Sequence, residues 1–560
     1  MMTQTGRTLM ILAIFFSPAS AGRAQGAAVP SAAPQRLSGQ GKRDLRGIVA
    51  AGRLEILQWP QFSDYQAEVG EFYRSEGYAL VWVRESRPTA KARAVIKLLQ
   101  AADNAGLLAK DYDGPLWGER LASLELPDRR SPEPQLLRFD LALTICAMRY
   151  ILDLHLGRIN PRLPHAVLEA EPDIRGPSDF LRERVVPAED VEAALSAVEP
   201  PFPAYRRLVK AVQRYKELAG QDDGEPLPAS RFPIKPGGRY SGVPRLTRLL
   251  SLLGDLPLQE APMPERYTGP LVQAVKRFQR RHGLAPNGRL DERTLRQLNT
   301  PLEQRLRQLR LTLERWRWLP HRFPRPPIIV NIPEFRLYAG DSPPQKVVVG
   351  MAFDHETPVF ASLLTEVVFR PPWNVPMSIQ LKELLPSIEK NPAYLRKHDY
   401  AVIDGEDSIV SSGTVSTEVL KRLREGRLYL RQRPGPKNSL GLVKFQMPNS
   451  HSVYLHGTPS TWGFRGSRRD LSHGCIRVED PEALAGWVLR DRPEWTPERI
   501  RAAMDGAETV TVRLDEPIPV LLQYGTAAVE EDGEVRFYDD IYSRDAAEGA
   551  AFEQRARLVR

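Results

Sequence analysis

The periodicity of the chain changes at Pro326, and that change limits what its 560 residues can fold into. Upstream, apolar residues recur at helical spacing, as in residues 92–105 and 136–148. Downstream, Ile328-Ile329-Val330-Asn331-Ile332, Phe335-Arg336-Leu337-Tyr338, Lys346-Val347-Val348-Val349 and Val367-Val368-Phe369 are short β-branched or aromatic runs parted by proline and glycine. Two joints punctuate the chain: Gly220-Gln221-Asp222-Asp223-Gly224-Glu225-Pro226-Leu227-Pro228 and the proline-rich stretch Pro320 to Pro327. The pattern predicts a multidomain α+β protein. Its parts are a polar linker over residues 25–59, a helical scaffold region over 60–219, a linker over 220–233, and a small helical unit over 234–301. A connecting segment over 302–325, a mostly β domain over 326–545 and a tail over 546–560 complete it. Within the β domain the rhythm breaks over residues 373–429 into a helix-prone, charged stretch that includes Leu381-Lys382-Glu383-Leu384-Leu385. An insertion there is placed to act as a lid.

The chain opens with Arg7, the apolar stretch Leu9 to Phe16 and the small residues Ala19-Ser20-Ala21, the pattern of an export signal, expected over residues 1–24. No later apolar run approaches the about 20 residues of a membrane helix, so no stable span is expected in the mature chain. With no cysteine near the cleavage region, a lipid anchor is not expected. Two cysteines in an exported chain make no disulfide framework, which points toward chemistry. Cys146 sits among Leu141, Leu143, Ile145 and Met148 and reads as an inert core thiol. A Cys146–Cys475 disulfide is the alternative and would require spatial proximity. The formal charge of +9 suits an anionic surface or acidic substrates. Arginines and lysines are spread among acids, no nucleic-acid-binding motif is present, and export removes the chain from most nucleic acid, so no nucleic-acid partner is expected.

Cys475 stands in Ser472-His473-Gly474-Cys475-Ile476-Arg477, with His456-Gly457-Thr458 beginning sixteen positions before Ser472. A cysteine attacks as the thiolate, and an imidazole base raises the thiolate's availability and returns the proton to a leaving amine. In an extended segment His473 and Cys475 share a face about 6–7 Å apart, too far for a direct hydrogen bond. A histidine on a neighbouring strand approaches the sulfur better, and His456 follows the strand-like Val453-Tyr454-Leu455. His456 is therefore the expected general base, with the Gly457 carbonyl a candidate to hold its other ring nitrogen. His473 is expected to line the site or assist the oxyanion. Amides around Gly474 and Cys475 suit an oxyanion hole. Arg477 is placed to bind a carboxylate or brace the loop. Ser472 is expected to orient His473 through its hydroxyl. A zinc site of His451, His456, His473 and Cys475 is a competing reading, but no paired-cysteine spacing and no His-Glu-x-x-His helix supports it, and no metal or organic cofactor is expected. A packed structural cysteine is the other.

Leu271 to Leu284, then Asn287-Gly288 and Thr294 to Leu298, form a helical module. Its Phe278-Gln279, Gly283-Leu284 and Gly288 resemble landmarks of the peptidoglycan-binding helical domain, with Asn287 where that family usually has aspartate. A three-helix bundle that binds nothing is the plainer alternative. The spacing of His456 to Ser472-His473-Gly474-Cys475 with Arg477 resembles the L,D-transpeptidase signature. Trp373-Asn374-Val375-Pro376, Leu384-Leu385-Pro386, Pro434 to Gly441, Lys444-Phe445 and Pro448-Asn449 resemble the family's large periplasmic branch. Phe72-Tyr73, Gly77-Tyr78, Leu80-Val81-Trp82 and Gly106-Leu107 resemble its scaffold, and Asp532-Gly533 to Asp545 its ending. The resemblance implies a periplasmic enzyme whose Cys475 attacks the bond between meso-diaminopimelate and D-alanine of a peptidoglycan tetrapeptide stem. D-alanine leaves, a thioester remains, and a neighbouring stem's diaminopimelate amine resolves it into a cross-link between third residues. It further implies that His456 is the base, that Tyr454 lies beside the nucleophile, that residues 373–429 cap the substrate, and that carbapenems acylate Cys475. Stems are then the partners, as donor and acceptor. Hydrolysis to an L,D-carboxypeptidase product, ligation of lipoproteins to the wall, and a non-catalytic wall-binding scaffold are the alternatives. A cysteine peptidase is disfavoured, because no papain-like cysteine segment is present.

Overall fold

The computed structural model describes residues 34–125, 132–159, 175–257, 266–391, 393–413 and 415–554. The signal sequence expected over residues 1–24 lies outside the described residues. The scaffold core is organised by the 24-residue helix Glu133–Leu156, whose apolar residues point nearly all round, as a helix surrounded by others requires. Cys146 lies fully buried within it and is not disulfide-bonded to Cys475. Buried Asp140 on the same helix accepts from the Tyr73 hydroxyl and the Trp82 amide, each at 2.7 Å. Burial pushes its carboxyl up to about 6.

Three parts expected to be linker or tail are structural. Within residues 25–59, the helix Gly39–Ala51, capped by Ser38, buries Leu45 in the scaffold core, so the polar composition disguised a helix with one inward face. The connecting segment 302–325 holds the helix Leu302–Arg317, which buries Leu306, Leu309 and Leu313 between the helix Pro203–Gln221 and the β domain. That helix of residues 203–221, assigned to the scaffold by sequence, shares this second core with the small module. The tail begins with the helix Arg544–Gln554, held by Arg315, which pairs with Asp545 and Glu548 at 2.7 Å.

The module has three helices, Val243–Leu252, Gly269–Arg281 and Glu292–Leu298. Its Gln279 explains the glutamine and turn-glycine landmarks together: the side chain accepts from the Gly288 amide at 2.8 Å and donates to the Arg289 carbonyl at 2.8 Å.

The sheet of the β domain has nine strands: β1 Ile328–Asn331, β2 Arg336–Ala339, β3 Gln345–Gly350, β4 Phe360–Phe369, β5 Val443–Gln446, β6 Leu455–His456, β7 Asp470–Ser472, β8 Ile476–Val478 and β9 Val510–Gln523. Their spatial order is β7-β3-β8-β6-β5-β4-β9-β1-β2, and β2 also pairs with β3, so the sheet closes on itself. Closure leaves one face of each strand toward a common core and the other outward. Residues 373–432 form a subdomain with its own apolar core and a four-stranded antiparallel sheet of Trp373–Asn374, Tyr429–Gln432, Tyr400–Ile403 and Ile409–Ser411. The insertion contains helices, as expected, together with this small sheet, and its last strand extends beyond residue 429.

Candidate active site

Period-two alternation on three adjacent strands builds the site. On β5, β6 and β8, Val443, Phe445, Leu455, Ile476 and Val478 point into the core, at most 1% exposed. The residues between them therefore share the outward face. Lys444 lies opposite His456 across the β5–β6 pair, and His456 lies opposite Arg477 across the parallel β6–β8 pair. One pleat earlier, Tyr454 comes opposite Cys475. Five polar side chains thus line the floor of a cleft of about 690 Å³, roofed by Trp373, Ile379, Glu383 and Tyr400 of the inserted subdomain.

The imidazole of His456 is buried, with Nδ1 2.5 Å from the Gly457 carbonyl. A carbonyl can only accept, so Nδ1 carries the proton and Nε2 of the neutral ring keeps its lone pair. Gly441, at φ +66°, permits this approach, since a Cβ there would lie 2.6 Å from the Thr458 amide. Burial, then the Arg477 and Lys444 cations, pull the pKa of His456 down to about 3.

The Cys475 thiol is half-buried and points to the Ser452 carbonyl at 3.7 Å. The Tyr454 amide and hydroxyl both stabilise its thiolate, as do Lys444 and Arg477, yet desolvation dominates and pushes the thiol up. The resting pair is therefore thiol and neutral imidazole rather than thiolate and imidazolium. Lys444 lies 4.3 Å from the centre of the Tyr454 ring. Neither Lys444 nor Arg477 has an ion-pair partner among the described residues, and burial lowers the pKa of both.

The turn that presents Cys475 is held from below. Gly474 sits at φ +110°, a conformation that side chains resist. The Thr357 hydroxyl donates to the Gly474 carbonyl at 2.8 Å and accepts from the Gly350 amide at 2.9 Å. Tyr542, from the C-terminal segment, donates to the Gly350 carbonyl at 2.6 Å and accepts from the Thr357 amide at 3.2 Å. Ser472 does not orient His473. Its hydroxyl accepts from the Gly474 amide at 3.2 Å and donates to the Cys475 carbonyl at 2.5 Å, because the tight turn brings those backbone groups nearer than the imidazole. The Gly474 amide is thereby occupied, whereas the Cys475 amide has no hydrogen-bond partner among the described residues. His473 instead meets the roof, with Nε2 2.6 Å from Glu383 and its ring 4.6 Å from that of His355.

Glu383 and Lys444 were not singled out as site residues by the sequence. Glu383 lies on a π-helical turn, Gln380–Leu384, pinned by Gln380, which donates to the Leu423 carbonyl at 2.9 Å and accepts from the Leu430 amide at 2.8 Å. The signal for Lys444 was a lysine between Val443 and Phe445 on an otherwise apolar run. Among the described residues no group of three or more His, Cys, Asp or Glu is arranged to hold a metal ion, and His451 lies beside Phe360 at the cleft rim. No helix among them is long and apolar enough to cross a membrane.

Residues 325–512 match the family described as the L,D-transpeptidase catalytic domain, residues 67–212 a scaffold domain, and residues 239–298 a "putative peptidoglycan binding domain". A curated protein of Haemophilus influenzae named "Putative L,D-transpeptidase" is 35% identical over 222 residues. That match covers 39% of this chain and 44% of the relative, so the chain spans less than half the length of the curated protein it resembles.

Proposed function

We propose that this chain, whose residues 325–512 match the L,D-transpeptidase catalytic domain, joins the third residues, meso-diaminopimelate, of neighbouring peptidoglycan stems through a thioester on Cys475. The observation that carries the reading is the outward face of β5, β6 and β8. There a thiol, an imidazole with a free Nε2 and two cations without counter-ions share one cleft. His456 takes the thiol proton as the sulfur attacks the carbonyl joining diaminopimelate to D-alanine. The Cys475 amide meets the oxyanion. The cations that hold His456 neutral make its protonated form a strong acid, suited to protonating the leaving nitrogen as the carbon–nitrogen bond breaks. D-Alanine departs and the thioester remains. An acceptor amine then attacks, gives its proton to His456, and the new amide forms as the thiol is restored. Lys444 and Arg477 are suited to receive the carboxylate beside the scissile bond. The subdomain over the cleft limits water, which would convert transfer into hydrolysis.

On the same reading the protein works outside the cytoplasm, in the periplasm, and Cys475 is a carbapenem target; the match of residues 239–298 to a peptidoglycan-binding domain supports the location. The test is to incubate the full chain with disaccharide-tetrapeptide and follow it by mass spectrometry, with Cys475→Ser as control. A thioester adduct, released D-alanine and a dimeric product are expected. Tripeptide without dimer would identify a carboxypeptidase, and absence of any adduct would refute the cysteine mechanism.

A further inference from the structure

A second cleft, of about 170 Å³, opens where the helical module meets the catalytic domain. Arg280 and Arg293 line it from the module, and Arg336, Arg468, Arg469 and Arg536 from the other side, against only two carboxylates, Glu334 and Asp539. Part of this charge is internally matched. Arg293 pairs with Asp539 at 2.7 Å, Arg468 with Asp470 at 2.7 Å, and Arg536 with Glu530 and Glu534 at 2.9 and 3.0 Å. Arg336 lies 3.8 Å from Glu334.

Two guanidiniums are left over. Arg280, exposed at the end of the helix Gly269–Arg281, has no ion pair among the described residues. Arg469 is only 7% exposed, and its three nitrogens donate to the carbonyls of Val347, Gly466 and Phe335 at 2.9–3.1 Å, with no carboxylate among its partners. Burial, then neighbouring Arg336, pull its pKa down to about 10. A buried cation without an ion-paired carboxylate is costly, and Arg469 adds its positive charge to the wall of the cleft. The walls are preformed. Asp539 bridges Arg293 and Gln297 of the module, and the Phe537 ring stacks on His282.

We propose that this cleft binds carboxylates of a peptidoglycan stem other than the one being acylated, an inference that rests on the wall-directed reading above. The cleft is too small for a disaccharide but accommodates a carboxylate-bearing side arm, and guanidinium forks match carboxylates. Its position gives it a purpose. Arg468 and Arg469 directly precede β7, three residues or about 10 Å long, which runs into the turn bearing Cys475. An extended tetrapeptide spans about 14 Å. A stem anchored here keeps its strand within reach of the thioester, raising the acceptor's local concentration without adding a contact at the reacting atoms.

The experiment uses the full chain and purified peptidoglycan sacculi in two forms, native and with carboxylates amidated by carbodiimide and ammonia. Arg280→Glu should weaken cosedimentation with native sacculi by about tenfold at low salt, and Arg280→Lys should retain most of it. Amidated sacculi should bind the wild type as poorly as native sacculi bind Arg280→Glu. Both variants should keep the wild-type Tm and the wild-type rate of Cys475 carbamidomethylation, which certify their fold. Unchanged binding by Arg280→Glu, or unchanged binding to amidated sacculi, overturns the proposal. Failure of the wild type on the soluble substrate would refute the transpeptidase reading, while the sacculus comparison would still decide the cleft.

Discussion

The protonation state of the resting Cys475–His456 pair can be read from the rate at which the thiol is alkylated. Desolvation holds the thiol above its ordinary 9.0, and the imidazole stays neutral down to about pH 3. For an acid with a raised pKa the reactive anion appears only as pH climbs toward that value. The thiolate fraction at pH 7 is therefore below about 1%, and it grows about tenfold per pH unit until the thiol titrates. His456 adds no inflection near 6.5, because it does not titrate there in the folded protein. Carbamidomethylation by iodoacetamide, followed by intact mass, should accelerate by about 300-fold between pH 6 and 8.5. Cys146, fully buried, should remain unmodified and serves as the internal check that the fold is intact. A preformed thiolate–imidazolium pair would instead hold the rate nearly level over this range. A level profile would refute both the neutral resting pair and the claim that burial outweighs Lys444 and Arg477 at the sulfur.

Thr357→Val should strand the Gly350 amide and the Gly474 carbonyl, at a cost of about 1–3 kcal/mol for each buried group. The loss should appear as a lower Tm and as a fall in kcat larger than any change in KM for disaccharide-tetrapeptide. Acid should destabilise the folded chain, because the pKa values of buried His456 and half-buried His321 are depressed to about 3 while the unfolded chain protonates them near 6.5. Stability is then lost as pH falls below about 6.5, on the order of 2 kcal/mol for each histidine at pH 5, and urea midpoints measured from pH 7.5 to pH 5 should decline accordingly.

The parts legible in the sequence are those whose pattern is local. Strands such as Lys346 to Val349 announce themselves by β-branched composition, and the helix around Cys146 by its apolar density. The helix Leu302–Arg317 did not read as core because Arg305, Arg315 and Arg317 occupy buried positions. Their burial depends on partners far away in sequence, including Tyr205, Asp545 and Glu548. The four strands of the roofing subdomain are only two to four residues long and lie among charged residues, too little for a period to show. In the site, Cys475 and the choice between two histidines followed from strand geometry, since facing and spacing are properties of consecutive residues. Lys444 and Glu383 depend on which strand lies beside which and on where a pinned helical turn meets the cleft. No spacing in the chain encodes either.

This division has a mechanistic consequence. The proposed nucleophile Cys475, the proposed base His456 and the turn residues lie within a segment of about twenty residues, so the proposed chemistry is written compactly. The groups around them come from elsewhere: Lys444 from β5, Glu383 from the roof, and the neutral Tyr542 hydroxyl from the C-terminal segment, which holds the Gly350–Thr357–Gly474 bridge. The pair His473–Glu383 is the only side-chain hydrogen bond among the described residues that ties the catalytic turn to the roof. Movement of the roof therefore changes the surroundings of His473 at the same moment as it changes the access of water to Cys475. On the proposed mechanism, substrate entry and the electrostatics of the turn are linked, and a roof substitution that leaves every residue of the string Ser472 to Arg477 untouched should still alter the partition between transfer and hydrolysis.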